Sequence, residues 1–229
     1  MEGGLVDVVR GRRVGAPLFE TLRDDIVTFR LAPGAVLSRA DLQERFAVSS
    51  TPVRDALMRL QQEGLVEIFP QHATIVAPID IERARRAQFL RRAVEIEIVR
   101  TIAAAPDPAV VARLRGLIRQ GRAFAELGET EAFATADQSF HRLTYEAAGV
   151  PDLWALVRRQ AGHIDRLRHL NLPVAGKMHE ILRAHDAIVD AIEAGDPDAA
   201  ASALRDHLSR SLDFVDRLRD THPDYFGDG

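Results

Sequence analysis

The sequence predicts a mostly α-helical protein with an N-terminal winged helix-turn-helix domain and a C-terminal, all-helical antiparallel bundle. In the first third of the 229-residue chain, three helical patterns precede two short β-branched runs, the order of helices and hairpin in a winged helix. Beyond residue 79 every segment has helical periodicity, and short Gly or Pro breaks favour antiparallel neighbours. The predicted divisions are a flexible arm (1–15), the winged helix-turn-helix domain (16–78) and the helical domain (79–222).

Composition narrows the class of protein. The chain is 46% hydrophobic and 28% charged, as is usual for a soluble globular protein. It has no cysteine, which excludes disulfides and thiolate metal sites. The N-terminus lacks the apolar core of a signal peptide, and no apolar run approaches about 20 residues, so we predict a cytoplasmic protein.

Charge limits the ways in which the chain can bind nucleic acid. The net charge is −4, and residues 1–78 contain nine arginines against ten acidic residues. Bulk attraction to phosphate is therefore excluded as the source of DNA binding, which would depend on locally placed arginines. The flexible arm contains Arg10, Arg12 and Arg13. These arginines either bind in a DNA minor groove or are simply exposed to solvent.

The three N-terminal helices have recognisable boundaries. The first covers about 14 residues and ends at a Pro-Gly pair, and its apolar stripe includes Leu18 and Phe29. The second opens at Ser38, with Asp41 placed to complete a capping box. The third is predicted to begin at Thr51, whose hydroxyl is a suitable N-cap before proline.

A β-hairpin follows the third helix. Its predicted strands are residues 65–68 and 74–77, joined by a loop at 69–73. The order of elements is that of a winged helix-turn-helix, although a small α/β subdomain with no DNA role has the same pattern. The six helices predicted after it cover roughly 80–105, 107–127, 129–148, 151–171, 176–194 and 196–220.

Four ionisable residues lie inside apolar helical stripes of the second domain. Asp137 and His141 are four residues apart and project from one helical face, while His185 and His207 lie among branched aliphatic residues on the next helices. Burying such groups is costly unless they are paired or bind an ion. Together they predict one site for a divalent transition metal, Zn, Ni, Fe or Mn. The alternative is that each of the four side chains has its own hydrogen-bond partner or is exposed to solvent, and that they bind no shared ion.

A buried arginine is predicted in the same domain. Arg91 lies on an otherwise apolar face of the first long helix, with Glu95 one turn later. The two residues form a salt bridge, or the guanidinium binds the carboxylate of a ligand. His163 and His169 occur on an arginine-rich helix and are expected at the surface, with the mouth of a pocket as the alternative for His163.

These motifs resemble those of GntR-type transcriptional regulators of the FadR subfamily, whose C-terminal half is an FCD ligand-binding domain. The resemblance extends from about residue 16 to 215. Its N-terminal part consists of Leu31-Ala32-Pro33-Gly34, residues 49–57 around Thr51-Pro52-Val53-Arg54, and Leu60 with residues 63–66. Its C-terminal part consists of Arg91 with Glu95, residues 137–141, His185 with Ile188, residues 194–196, and His207-Leu208.

The resemblance implies a homodimer that binds a palindromic operator, usually as a repressor released by a small organic acid. It implies that Arg54 contacts the operator and that Asp137, His141, His185 and His207 hold the metal of the effector pocket. Three features depart from the family pattern, one of which is Val150 in place of the asparagine often found after Gly149. Ser50 stands where an arginine is common, and His72-Ala73 replaces the Arg-Gly of the wing, which puts insertion of the wing in doubt.

The residues that we predict to contact DNA lie on the second and third helices and the wing. Arg54 begins the recognition helix, where side chains reach base edges, unless it pairs with Asp55 or Glu20. Arg39 and Arg45 flank the second helix, which crosses the DNA backbone in this geometry. The predicted DNA-binding set is Arg54, Arg39, Arg45, Ser50, Thr51 and His72.

Three functions fit these patterns. The favoured one is a metabolite-responsive, DNA-binding transcriptional regulator, not an enzyme, that binds a divalent metal and an acidic effector, with Arg91 as the effector-binding residue. A metal-dependent hydrolase is disfavoured because the stripes around the metal supply no further Glu, Asp or Tyr as a general base. A purely structural metal is the third hypothesis.

Overall fold

The computed structural model describes residues 18–70, 72–209 and 212–227. Within these ranges it contains eleven α-helices and one two-stranded sheet, in the predicted order. The predicted fold class is confirmed. The arginines of the N-terminal arm lie outside the described residues. None of the helices in the described ranges is long and apolar enough to cross a membrane.

The N-terminal domain is a winged helix-turn-helix. Its antiparallel strands pair Val66 with Val76 and Phe69 with Ala73. A short extended segment adds to this sheet, because Val36 bridges to Ile75. The elements are α1 (Leu18–Val27), α2 (Arg39–Phe46), α3 (Ser50–Gln62), β1 (Val66–Phe69) and β2 (Ala73–Val76).

Two helix boundaries in this domain differ from the prediction. α1 ends at Val27 and excludes Phe29, whose φ of 60° is incompatible with a continuing helix. α3 begins at Ser50, with Ser49 rather than Thr51 as the N-cap. The cap predicted for α2 is present, since Ser38 Oγ accepts a hydrogen bond from the Asp41 amide at 3.3 Å.

The C-terminal domain is a helical bundle. α4 packs along the last two long helices of the bundle, and the second and third helices of the domain pack on each other. Its elements are α4 (Ile81–Ala104), α5 (Pro108–Leu127), α6 (Thr130–Ala147), α7 (Pro151–Gln160), α8 (Gly162–Asn171), α9 (Lys177–Glu193), α10 (Pro197–Ser209), α11 (Val215–Thr221) and a 3-10 turn (Pro223–Tyr225).

Two predicted helices of this domain are each divided. The helix expected over 151–171 is interrupted at Ala161, which lets α8 approach the winged domain. A Cβ on Gly162 would lie only 2.8 Å from Leu65 Cδ2, so glycine permits this contact. The helix expected over 196–220 consists of α10 and α11, and regular contacts continue past the predicted domain end to Phe226.

Three apolar cores stabilise the molecule. One lies inside the winged domain around Leu22 and Leu57, and the largest lies inside the bundle around Phe133 and Ile188. The third lies between the domains, where Ile79 of the linker packs with α8 and the C-terminal residues. The domains are therefore joined by a packed interface as well as by the linker.

Candidate metal centre and nucleic-acid interface

The outer face of α3 presents its polar residues to solvent. Val53 and Leu57 are buried against the domain core, and this orientation turns Arg54 outward with 64% of its side chain exposed. Its Nε lies 3.6 Å from Asp55 Oδ1, so the alternative pairing with Asp55 is present as a loose, exposed contact. Such a surface pair contributes little energy and leaves the guanidinium available to DNA.

The two arginines of α2 differ in their surroundings. Arg39 is exposed at the first position of the helix. Arg45 donates from Nη2 to Asp25 Oδ2 at 3.0 Å, and Arg30 donates to the other oxygen of the same carboxylate. Half of the Arg45 side chain remains exposed, so a phosphate contact there would compete with Asp25.

The other predicted DNA-binding residues are also at the surface. Ser50 and Thr51 are exposed in the first turn of α3, where backbone amides face outward. His72 is exposed at the tip of the hairpin, next to position 71, which lies outside the described residues. The structure therefore places the predicted set on the accessible surface of the winged domain.

The structure brings together the four side chains predicted as metal ligands, from three helices. α6 supplies Asp137 and His141, α9 supplies His185, and α10 supplies His207. One nitrogen of each of the three histidines lies within 4.8 Å of those of the other two. Asp137 Oδ1 lies 3.6 Å from His185 Nε2. Asp137 borders this compact triad without being part of it.

Three buried polar atoms at this site have no hydrogen-bond partner among the described residues. They are Asp137 Oδ1, His141 Nε2 and His185 Nε2. A buried acceptor or donor that lacks a partner costs about 1–3 kcal/mol. One cation among the three histidines would satisfy His141 Nε2 and His185 Nε2, and Asp137 Oδ1 lies beside that position. Neutral imidazole nitrogens and a carboxylate are ligands that Zn²⁺ and similar ions prefer. The donor set therefore fits a transition metal.

Glu95 fixes the orientation of His141. Its Oε2 lies 3.0 Å from His141 Nδ1, and the geometry places the imidazole proton on Nδ1 and the lone pair on Nε2. Arg91 donates to both oxygens of Glu95, at 2.9 and 3.4 Å, and the Tyr145 hydroxyl lies 3.2 Å from Oε1. A carboxylate behind a histidine is the usual outer partner of a metal ligand.

Two further polar groups lie beside the predicted ligands, although the apolar stripes that carry those ligands supply no general base. Glu95 and Tyr145 both reach this cluster, because α4 packs against α6. Tyr145 is four residues beyond His141, so helical spacing offered a signal for it. Arg91 forms the predicted salt bridge with Glu95 and is 5% exposed.

Arg168 was not predicted to belong to the site. It donates from Nη2 to Asp137 Oδ2 at 2.5 Å, which leaves Oδ1 directed at the histidines. Burial by itself would raise the pKa of Asp137, but the charge of Arg168 outweighs burial and holds it well below its usual range. Asp137 is therefore ionised, as a metal ligand must be. No periodic signal marks Arg168 on its arginine-rich helix.

Two of the histidines are held in the neutral form. Burial lowers the pKa of His185 to about 3, against the opposing charge of Asp137. Burial, His185 and His141 together lower the pKa of His207 well below its usual value. Neutral imidazole is the form that binds metal, so the site is prepared for an ion across the physiological pH range.

The prediction that His163 is a surface residue is wrong. It is 1% exposed and lies where the two domains meet. Its Nδ1 accepts the Asp80 amide at 3.0 Å, and its Nε2 lies 3.1 Å from the Gly64 carbonyl oxygen, to which it donates in this tautomer. His163 therefore bonds to the linker and to the winged domain, away from the metal ligands.

Sequence comparison identifies both domains. Residues 16–76 match the model of bacterial regulatory proteins of the gntR family, and residues 87–210 match the FCD domain. The chain belongs to the GntR family. Its members are regulators and not enzymes, and the predicted resemblance is confirmed.

Relatives of this GntR regulator agree with that assignment. An HTH-type transcriptional regulator from an unstable DNA locus of Streptomyces ambofaciens is 39% identical over 217 residues, which cover 94% of this chain and 91% of the relative. The HTH-type transcriptional repressor RspR of Escherichia coli K12 is 29% identical, with 94% of each chain covered. The protein is therefore a DNA-binding transcriptional regulator whose FCD domain marks a ligand-binding regulatory half.

A solved structure shares the fold. E. coli McbR/YncC superposes with a TM-score of 0.75 at 20% sequence identity, over 88% of this chain and 96% of the other. At this identity the likeness concerns the architecture alone. It agrees with a winged domain followed by a helical bundle.

Proposed function

We propose that this GntR regulator is a repressor whose helical domain binds one divalent transition metal and a small organic acid, and that the acid changes its affinity for an operator. Asp137, His141, His185 and His207 would hold the metal. When bound, the ion would supply a Lewis-acidic centre with open positions for a carboxylate or hydroxyl of the effector. We infer a cytoplasmic location from action on DNA.

The observation that carries the proposal is the convergence of three unpartnered buried atoms, on Asp137, His141 and His185, with His207 beside them. In a packed core such atoms are normally hydrogen-bonded. The residues that bond to the proposed ligands also support a metal site, because Glu95 orients His141 and Arg168 orients Asp137.

The effector is proposed to lie in the cavity beside His207. Arg168, Asn171, Lys177 and Glu180 line this cavity. Because Lys177 pairs with Glu180 at 3.2 Å, Arg168 is the cation that would meet an entering acid. Arg91 remains our predicted effector-binding residue, and it would reach a carboxylate only by exchanging its bonds to Glu95. Arg168 already lines the cavity and bonds to Asp137 through Nη2, so another nitrogen of its guanidinium would bind the acid, which makes it the stronger candidate.

DNA recognition is proposed to use a homodimer on a palindromic operator. Arg54, Ser50 and Thr51 would enter the major groove on α3, while Arg39 and Arg45 would contact phosphates. His72 would lie near the backbone at the wing. A pair of winged domains supplies the contact area that one small domain lacks.

Elemental analysis of the purified protein tests the metal site. We expect about one equivalent of transition metal in the wild type and a clear loss of bound metal in His185→Ala, which removes one ligand. His179→Ala is the matched control, because His179 is exposed on the same helix. Metal-free wild type, or equal metal content in both variants, would exclude the proposed centre.

A structural metal is the competing role, since the ligands come from three helices and would hold them together. Chelation should then lower the melting temperature without changing operator affinity in the presence or absence of an acid. The sensing role instead predicts that an acid found by thermal-shift screening alters operator affinity only in metal-loaded protein. Fluorescence anisotropy with labelled operator separates the two.

A further inference from the structure

The C-terminal residues begin at the proposed effector cavity. Phe214 is buried and forms part of the cavity wall, together with Arg168 and His207. The Lys177 ammonium lies 6.0 Å from the centre of the Phe214 ring. Removing or displacing this ring would therefore open the cavity.

The same residues end on the DNA-binding domain. The Tyr225 ring stacks on Phe29, which follows α1, with centroids 4.8 Å apart and planes 12° from parallel. The Ile79 amide donates to the Tyr225 carbonyl oxygen at 2.8 Å, and Phe226 forms a parallel bridge with Ile79. This end of the chain therefore contacts both the winged domain and the interdomain linker.

The stretch between these two ends is firmly packed. Val215 and Leu218 are buried in the interdomain core with Ile164 and Leu167 of α8. Arg217 Nη2 donates to Asn171 Oδ1 at 2.8 Å, and Asn171 also lines the cavity. A displacement at one end would be carried through a continuous set of packed side chains.

The cavity is too small for an acid as it stands. Its volume is about 30 Å³, which is room for about one water molecule. An organic acid would need one wall to move. Most of the wall belongs to α8, α9 and α10, which are anchored in the bundle, whereas Phe214 belongs to a short segment that follows them.

We propose that residues 212–227 form a strap that couples the effector cavity to the DNA-binding domain. An acid entering the cavity displaces Phe214, and the strap transmits this shift to Phe29 and Ile79 through Tyr225 and Phe226. The strap lies beyond the matched FCD region, which ends at residue 210. The role assigned to the acid rests on the proposed function, while the mechanical coupling rests on the contacts alone.

Hydrogen–deuterium exchange of the metal-free, full-length protein tests the coupling in both directions. Tyr225→Ala removes the contact at the DNA-binding end, and we expect amides of residues 171–177 at the cavity to exchange at least about threefold faster. Phe214→Ala opens the cavity end, and we expect a similar change at the Phe29 and Leu31 amides. These two amides bond back to α1 in the wild type.

Exposed neighbours of the mutated residues serve as controls. Asp224→Ala and Asp213→Ala alter the same segment without touching its buried side, and neither should change exchange at the opposite end. Changes confined to the mutated end, or equal changes in the controls, would overturn the strap. If Phe214→Ala fails to fold, exchange measured on Tyr225→Ala tests the strap by itself, since Tyr225 is only half-buried.

Zn²⁺ binding measured on the same proteins keeps the two proposals apart. Tyr225→Ala should bind Zn²⁺ like the wild type, because Tyr225 lies at the interdomain face. Wild-type protein that binds no Zn²⁺ would contradict the metal centre, and the exchange results would still decide the strap. Normal Zn²⁺ binding without remote exchange changes would contradict the strap only.

Discussion

Glu95 is the polar centre of the bundle interior. It is 1% exposed, and it accepts hydrogen bonds from Arg91, His141 and Tyr145. Burial by itself would raise its pKa, but Arg91 and His141 outweigh burial and lower it far below the usual range. Glu95 therefore stays ionised, which keeps the His141 proton on Nδ1 and the metal-facing nitrogen free.

We expect Glu95→Gln to weaken metal binding by about 10- to 100-fold, because the amide no longer holds His141 in one tautomer. Competition with a coloured chelator measures the affinity. Tyr145→Phe is the control, since it removes one hydrogen bond to Glu95 and keeps the charge. Equal affinities in the two variants would refute this role of Glu95.

Arg54 should contribute about 1–3 kcal/mol to specific operator binding, because it reaches base edges from the start of α3. We expect Arg54→Ala to lose this amount in salt-controlled anisotropy titrations and to keep the wild-type melting temperature. Arg39→Ala should give a smaller loss that is the same on unrelated DNA. Equal losses for the two variants, on operator and unrelated DNA alike, would contradict a specificity role for Arg54.

α8 joins the two domains. Arg168 at its C-terminal end bonds to Asp137 of the metal centre, while Arg166 donates to the Ala77 carbonyl oxygen at 2.9 Å. Asp165 bonds to Arg158 at 2.5 Å and lies 3.5 Å from Arg23 of the winged domain. One short helix therefore contacts both the candidate metal centre and the DNA-binding domain.

The buried His163 should make folding stability depend on pH. Burial lowers its pKa from 6.5 to about 4, so the unfolded chain binds this proton more readily than the folded protein. Its contribution is complete above pH 6.5 and is lost as the pH falls toward about 4. We expect His163 to contribute about 1 kcal/mol per pH unit to the fall in the free energy of unfolding in this window, in addition to the buried His185 and His207, whose pKa values are also lowered.

Urea unfolding of metal-free protein at pH 7.5 and 5.5 measures this effect. His163→Gln retains an amide that can bond to Gly64 and cannot titrate, so its stability should change less between the two values. His179→Gln is the control, because His179 is exposed on α9. An unchanged pH dependence in His163→Gln would exclude His163 as its source.

The whole molecule is predicted to act as a dimer on a two-fold operator. One winged domain exposes few base-reading side chains, chiefly Arg54 and its neighbours on α3. A dimer doubles these contacts, and its symmetry requires half-sites spaced by roughly one DNA turn or less.

Light scattering should give a dimeric mass at micromolar concentration without DNA, and two chains per operator with it. Binding to a single half-site should be weaker by at least about 100-fold, because half of the specific contacts are lost. A monomeric mass, together with one chain per operator, would overturn the prediction.

The order of elements and most of the residues of the candidate metal centre could be predicted from the sequence. Both depend on local periodicity: Asp137 and His141 share a face because they are four residues apart, and the Gly and Pro breaks separate the helices. The same local rules placed Ser38 correctly as a helix cap. Arg54 falls on the outer face of α3 because Val53 and Leu57 face inward.

The tertiary structure decided which distant groups meet. The convergence of His185 and His207 on α6, the bond from Arg168 to Asp137, and the burial of His163 between the domains depend on packing of segments far apart in the chain. The periodicity of a sequence predicts which face of a helix is buried. It does not predict which other helix packs against that face, because this depends on the tertiary structure. The break at Ala161 and the return of the C-terminal residues to Phe29 have the same origin, since both arise from contacts between the two domains.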